Sequence, residues 1–239
     1  MARRYDSRTT TFSPEGRLFQ VKLFAFCYAL ESVNHAGTCV GLRTNTGVLL
    51  ASEKKTMSKV SIASLLEQSS TPEKLWKIDK HIVIAVAGLN ADAMILVNFA
   101  RLVAGQYKAR YGLPIPVENL VQELGDHMQG YTQFGGLRPY GVAFLDRQGG
   151  FQLYQSEPSG NFSAWKLQAA AIGASHQAAR SILKTEYSEG LDISEAKGIV
   201  SKVLQKTMDC MSLTEDKVEM VYLSYNELNG EVELERILL

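Results

Sequence analysis

Residues 38–51 read TCVGLRTNTGVLLA, and this stretch decides the fold class. Two apolar runs flank Asn45-Thr46-Gly47, so the pattern predicts a strand, a tight turn and a second strand. Another turn signal, Asn229-Gly230, joins strands predicted at residues 218–225 and 232–237. Short turns connect antiparallel neighbours, so both ends of the chain are expected to contribute to antiparallel sheets.

Two pairs of consecutive helices are predicted between the strands. Apolar residues at helical spacing indicate helices at residues 91–111 and 117–131, then at residues 176–187 and from Asp192, where Glu195 completes a capping box. Consecutive helices are not crossovers of a parallel sheet, so we expect an α+β fold with stacked antiparallel sheets and a helix pair on each outer face. Further strands are predicted at residues 81–87, 142–145, 151–154 and 166–171.

The N-terminal segment has a different character. Residues 1–14 are polar and show neither a helical nor a strand period, which indicates an arm outside the core. Residues 17–33 are crowded with apolar and aromatic side chains, as in a helix buried against a partner. We therefore expect an arm over residues 1–14 and one sandwich domain over residues 15–239.

Composition excludes several classes of protein. The 239 residues are 46% hydrophobic and 21% charged, enough apolar content for a sizeable core. Twenty-five Lys+Arg balance 25 Asp+Glu, so bulk charge indicates no nucleic-acid or membrane partner. No apolar run is long enough for a membrane span, and the three cysteines lack metal-site or disulfide-framework spacing. These features predict a protein of a reducing intracellular compartment.

The sequence contains no motif for phosphate, dinucleotide or metal binding. The four histidines stand in separate predicted elements, with no carboxylate at a telling spacing, so a Ser-His-Asp enzyme is a weak hypothesis. A free-standing chaperone or RNA-binding domain is disfavoured by the neutral charge and by the lack of an aromatic-basic sheet motif. No cofactor or metal is expected.

Four stretches resemble alpha subunits of the proteasome core particle. They are RRYDSRTTTFSPEGRL at residues 3–18, HAGT at residues 35–38, YTQFGGLRPYG at residues 131–141 and QLYQSEPSGN at residues 152–161. The resemblance covers nearly the whole chain. It implies a four-layer αββα sandwich of the N-terminal-nucleophile hydrolase fold, in agreement with the order of elements predicted above.

The same family includes proteases, so the resemblance raises a catalytic question. Its beta subunits cleave peptide bonds with an N-terminal threonine whose own amine acts as base, assisted by an aspartate and a lysine. Counted from Gly47, the nucleophile position corresponds to Gly37, the aspartate to Glu53, and Lys74 to the lysine. Gly37 has no hydroxyl, so a non-catalytic subunit is expected. The alternative is an active amidohydrolase with a processed N-terminus at Thr38.

The resemblance also implies gating of a pore. Seven different alpha subunits form each outer ring, which contacts a beta ring, and their arms converge over the axial pore until regulatory particle ATPases or other activators dock. Residues Tyr5, Asp6, Arg8, Pro14 and Tyr28 correspond to the gate cluster. The implied role is ubiquitin-dependent protein degradation in the cytoplasm and nucleus.

An activator pocket is implied by residues 72–75, which read PEKL. Lys74 matches the inter-subunit lysine that receives the C-terminal carboxylate of an activator, and Gly88 stands where that pocket needs a small residue. Without the resemblance, Lys74 would be interpreted as an ordinary surface lysine.

One stretch departs from the family. Its members read Gln-Val-Glu-Tyr-Ala where residues 20–29 read QVKLFAFCYA, a gain of five residues that loses or displaces a pocket-lining glutamate. In a helix, five residues add about 7.5 Å and rotate the following residues by about 140°. Either this lineage remodels the helix or residues 22–27 reflect an unspliced or mispredicted stretch. Peptides spanning those residues in native subunit would exclude the second explanation.

Overall fold

A computed structural model describes most of the chain. The described residues are 22–54, 74–133, 140, 142–148, 152–164, 169–208, 213, 217–226 and 231–237. Within them lie five helices, which are α1 (Lys22–Asn34), α2 (Asn90–Tyr111), α3 (Val117–Gln133), α4 (His176–Glu186) and α5 (Ile193–Thr207).

The first sheet is built around the hairpin at residues 38–51. Its strands are β1 (Cys39–Arg43), β2 (Gly47–Glu53), β8 (Ala169–Ile172), β9 (Val218–Asn226) and β10 (Glu231–Ile237). They lie in the order β10-β9-β2-β1-β8, and every neighbouring pair is antiparallel. The hairpin predicted from the Asn45-Thr46-Gly47 turn is confirmed.

The second sheet contains the intervening strands. They are β3 (Leu75–Asp79), β4 (Ile82–Gly88), β5 (Val142–Gln148), β6 (Gln152–Ser156) and β7 (Phe162–Ala164). The order follows the chain, β3-β4-β5-β6-β7, and all pairs are antiparallel. The sequence did not predict β3 or β7, which form the two edges of this sheet.

Three hydrophobic clusters hold these elements together. One joins the first sheet to α4 and α5, and includes Leu42 and Val200. A second joins the second sheet to α2 and α3, and includes Ile84 and Leu120. The third joins the two sheets, and in it Val33 of α1 packs with strand residues of both. Burial of this apolar surface is the main stabilising contribution to the fold.

Local signals set the helix boundaries. Helix α2 ends where Gly112 adopts a φ of 70° and its amide donates to Lys108 O, an arrangement that glycine favours. Helix α5 begins with the predicted capping box, in which the amide of Asp192 donates to the Glu195 carboxylate at 3.2 Å. None of the described helices is both long and apolar enough to cross a bilayer.

The hairpin turn is fastened to β9. The Tyr222 hydroxyl is hydrogen bonded to the hydroxyls of Thr44 at 3.0 Å and Thr46 at 2.7 Å. Any side chain at Gly47 would overlap the backbone of Leu223, and its Cβ would lie 2.7 Å from the Tyr222 ring. Glycine at this position therefore lets β2 pack closely against β9.

Candidate functional site at one end of the two sheets

Of the residues assigned to the gate, the structure describes only Tyr28. Tyr5, Asp6, Arg8 and Pro14 lie outside the described residues. Tyr28 lies on α1, and 73% of its surface is exposed. Its ring is therefore accessible in the isolated chain.

Helix α1 passes without a break through the residues that depart from the family. Its described part runs from Lys22 to Asn34, so residues 22–27 are helical. The helix contacts β4 and β5, and Ala29 and Val33 are buried on its inner side.

Gly37, Glu53 and Lys74 come together, as the correspondence with the beta-type catalytic positions predicts. The amide of Thr38 donates to Glu53 Oε2 at 3.0 Å, and the amide of Glu53 donates to Thr38 O at 2.9 Å. A Cβ built on Gly37 would overlap Lys74 Nζ and would lie 3.1 Å from Glu53 Oε2. The lysine amine thus occupies the space that a side chain at position 37 would fill.

Lys74 differs from the surface lysine that the residues alone suggested. Only 8% of its surface is exposed, and its carbonyl accepts from Val86 N at 2.9 Å just before β3 begins. Its amine is inaccessible to solvent and has no hydrogen-bond partner within the described part of the chain. A buried ammonium without an acceptor is energetically costly, so such groups are often functional.

Gly88 lies at the same end of the second sheet as Lys74. It is the last residue of β4, two positions after Val86, and it pairs with Val142. Its φ of 141° is one that residues with a side chain rarely adopt. Gly88 therefore lies two residues along β4 from Val86, whose amide donates to Lys74 O.

A row of polar side chains crosses the facing sheet near Lys74. Cys39, Ser52 and Glu219 are direct partners on β1, β2 and β9, and all three are buried. Directly opposite residues point to the same face of a sheet, and Cys39 belongs to the cluster between the sheets. Together with Gly37, Glu53 and Lys74, we call these residues the inter-sheet polar cluster.

Burial and the charges of this cluster shift the pKa of the Cys39 thiol. Burial raises the pKa of its thiol to about 12, the Lys74 charge opposes the rise, and Glu53 and Glu219 add to it. Its Sγ lies 3.4 Å from Val86 O. This cluster was not predicted from the sequence. A polar residue at the end of an apolar strand, such as Ser52 after residues 48–51, is the pattern that could have indicated it.

Thr38 is the nucleophile in the alternative hypothesis. Its amide, carbonyl and hydroxyl all form hydrogen bonds within the protein. It is fully buried, and its hydroxyl donates to Ala174 O. Gly173 approaches closely with a φ of 92°, and a Cβ there would lie 2.6 Å from Gly37 O. The hydroxyl and both backbone groups of Thr38 are therefore engaged inside the protein.

The histidines are dispersed, as predicted. His81 is hydrogen bonded to Ile115 O at 2.8 Å, His176 to Gly173 O at 2.9 Å, and His127 to the Tyr140 hydroxyl at 3.2 Å. His35 is exposed beside Glu31. Across the described ranges, His, Cys, Asp and Glu form no group of three that could hold a metal ion.

Apolar side chains are exposed along α2 and its two ends. Ile95 and Leu102 are 52% and 57% exposed and lie seven residues apart, on one face of the helix. Exposed apolar side chains of this size lose contact with water where another protein packs on the helix. We call the set the α2 apolar strip, which comprises Leu89, Met94, Ile95, Leu102, Tyr111 and Leu113.

Two models of known protein families match this chain. Residues 33–223 match the family model described as "Proteasome subunit". The chain belongs to the proteasome subunit family. Residues 5–21 also match the family model for the N-terminal signature of A-type proteasome subunits, so this proteasome subunit carries the alpha-type N-terminus.

Plant proteins are similar to this proteasome subunit over nearly its whole length. The alpha type-4-2 proteasome subunit of Oryza sativa is 53% identical over 237 residues, covering 98% of this chain and 90% of its own. The alpha type-4-A proteasome subunit of Arabidopsis thaliana is 53% identical over 230 residues, covering 94% and 87%. The alpha type-4 proteasome subunit of Petunia hybrida is 51% identical over 238 residues, covering 97% and 89%.

Proposed function

We propose that this chain is a non-catalytic subunit of the alpha ring of the proteasome core particle. Its roles are ring assembly, gating of the axial pore and activator docking in ubiquitin-dependent protein degradation, in the cytoplasm and nucleus. The match of residues 5–21 to the alpha-type signature carries this proposal.

The environment of Gly37 supports a non-catalytic role. Position 37 offers no hydroxyl, and Lys74 Nζ fills the space where one would stand. The adjacent Thr38 has its nitrogen in a peptide bond and its hydroxyl bonded to Ala174 O. An active threonine amidohydrolase would require cleavage before Thr38 and release of that hydroxyl.

A gating role fits the exposed position of Tyr28 on α1. In this proposal residues 1–14 form the arm and residues 15–239 the sandwich domain, whose helix pairs pack on opposite sheets as the four-layer arrangement requires. Tyr28 is exposed on α1 and so is accessible to Tyr5 and Pro14 of the arm. A polar arm with little buried area changes its order in response to small differences in binding energy.

Lys74 and Gly88 form the proposed activator pocket. Support comes from the buried Lys74 amine, which has no acceptor in the described part of the chain. A carboxylate that met this amine would supply the missing acceptor in a charge-assisted hydrogen bond. Gly88, the last residue of β4, has no side chain that could obstruct the pocket.

Subunit contacts account for the α2 apolar strip. Neighbouring alpha subunits of a seven-membered ring and subunits of the beta ring are the proposed partners, and burial of Ile95 and Leu102 in such a contact removes apolar surface from water. Regulatory particle ATPases or other activators would bind the outer face. No nucleic acid or membrane partner is proposed.

Native mass spectrometry of the purified complex tests membership. We expect the intact chain in a particle with thirteen other subunit types. A free chain would contradict membership, and a chain that starts at Thr38 or is labelled covalently by a threonine-directed inhibitor would instead support the amidohydrolase.

A further inference from the structure

The Lys74 amine is placed where an activator carboxylate cannot bind it directly. Its Nζ is inaccessible to solvent in the isolated chain, so an incoming carboxylate cannot contact it there. The amine lies against the Cα of Gly37, in a space that exists only because position 37 has no side chain. Docking therefore requires the lysine side chain to leave this space.

We propose that Gly37 is a positioning residue that provides a recess for the Lys74 amine and holds it out of reach of an activator carboxylate. The recess is bounded by the backbone and carboxylate of Glu53, which would lie 3.0 Å and 3.1 Å from a Cβ at position 37. Glu53 is fixed by its two hydrogen bonds with Thr38, so this boundary is rigid. The proposal rests on the docking role of Lys74 given above.

The recess lowers the apparent affinity of the pocket for an activator carboxylate. When only a fraction of molecules has the lysine outside the recess, the apparent dissociation constant rises in inverse proportion to that fraction. The amine is the end of a flexible side chain, whereas the backbone of Glu53 is fixed. An added methyl group at position 37 therefore displaces the amine in preference to the strand.

The test compares Gly37→Ala with Gly198→Ala in the assembled particle. A Cβ at Gly198, on α5, meets nothing within 4 Å, so it is a matched control. The first readout is acylation of Lys74 by an amine-reactive ester, measured by peptide mapping without any ligand. We expect faster acylation in Gly37→Ala than in the control, and equal rates would overturn the recess.

The second readout is binding of a fluorescent peptide with a free C-terminal carboxylate. We expect Gly37→Ala to bind it about three- to tenfold more tightly, with no change for the C-terminally amidated peptide. Adding Lys74→Ala should remove this gain. A gain that persists without Lys74 would show that Gly37 acts by another route and would overturn the proposal.

The outcomes separate this proposal from the docking role. If Lys74→Ala alone leaves peptide binding unchanged, the docking role fails, whereas the acylation rates still decide whether the recess exists. If Gly37→Ala does not assemble but the double variant with Lys74→Ala does, the overlap with the amine is established. If neither assembles, the overlap is with Glu53 and the recess is rejected.

Discussion

Thr38 and Glu53 are joined by two hydrogen bonds, each of which uses a backbone group of Thr38. The Thr38 amide donates to the Glu53 carboxylate at 3.0 Å, and the Glu53 amide donates to the Thr38 carbonyl at 2.9 Å. In a threonine protease the nitrogen would be a free amine. Here it is a peptide nitrogen that follows Gly37, so the acidic side chain stabilises the backbone.

Replacement of Thr38 by valine tests this structural role. The variant loses the buried hydroxyl that donates to Ala174 O. The Ala174 carbonyl is then left without this donor, which should destabilise the subunit by about 1–3 kcal/mol. Thr185→Val is the control, because Thr185 is an exposed threonine whose hydroxyl donates to Ile182 O at 2.8 Å. The dissociation midpoint of the particle in urea should fall more for Thr38→Val. Loss of a peptidase activity from an intact Thr38→Val particle would contradict the non-catalytic assignment.

Deletion of residues 1–8 tests the gate. Removal of part of a blocking arm should raise hydrolysis of small fluorogenic peptides by the assembled particle in the absence of activator. Hydrolysis with a saturating activator should match the unmodified particle, which serves as the control for intact active sites. An unchanged basal rate would show that this arm does not obstruct the pore.

Lys74→Ala tests the pocket. The loss of one charge-assisted hydrogen bond, a bond worth about 1.5–3 kcal/mol, should weaken binding of an activator carboxylate about tenfold or more. Lys77→Ala removes an exposed lysine from the same strand and should leave binding unchanged. Affinity can be measured by fluorescence anisotropy with labelled activator C-terminal peptide. Equal affinities for the two variants would make Lys74 an ordinary structural residue.

The thiol of Cys39 should resist alkylation. Its pKa is raised to about 12, chiefly by burial, so almost no thiolate is present at pH 8. Iodoacetamide should leave Cys39 unmodified in the native particle and modify it after denaturation, as followed by fragment-ion mapping. Because the folded pKa is raised above its unfolded value, the neutral thiol favours the folded state, and this contribution is lost as pH rises toward 12. Rapid native labelling would show that the inter-sheet polar cluster opens to solvent.

The sequence predicted the helices and most strands, including β8 and β10 at the edges of the first sheet, because their apolar patterns are long or buried. The two strands that it missed, β3 and β7, are the edges of the second sheet. In β3 the residues from Trp76 to Asp79 are partly or fully exposed, and β7 has three residues, too few to show a period.

The candidate site was predicted in part. The resemblance assigned Gly37, Glu53 and Lys74 to beta-type catalytic positions, and in the structure a Cβ on Gly37 would overlap Lys74 Nζ and lie 3.1 Å from Glu53 Oε2. The burial of Lys74 and the nearby Glu219 could not be inferred, because the packing of one sheet on the other determines which strand ends face each other. No local pattern contains that information.

The bond between Tyr222 and the hairpin turn has a consequence for synthesis of the chain. Tyr222 follows Thr44 by 178 residues, and β9 is the strand that covers the outer side of β2. A nascent chain leaving the ribosome therefore carries β2 with one unpaired edge until residue 218 and those after it have emerged. Unpaired edges recruit other strands, so a product truncated before β9 should aggregate or remain bound to chaperones.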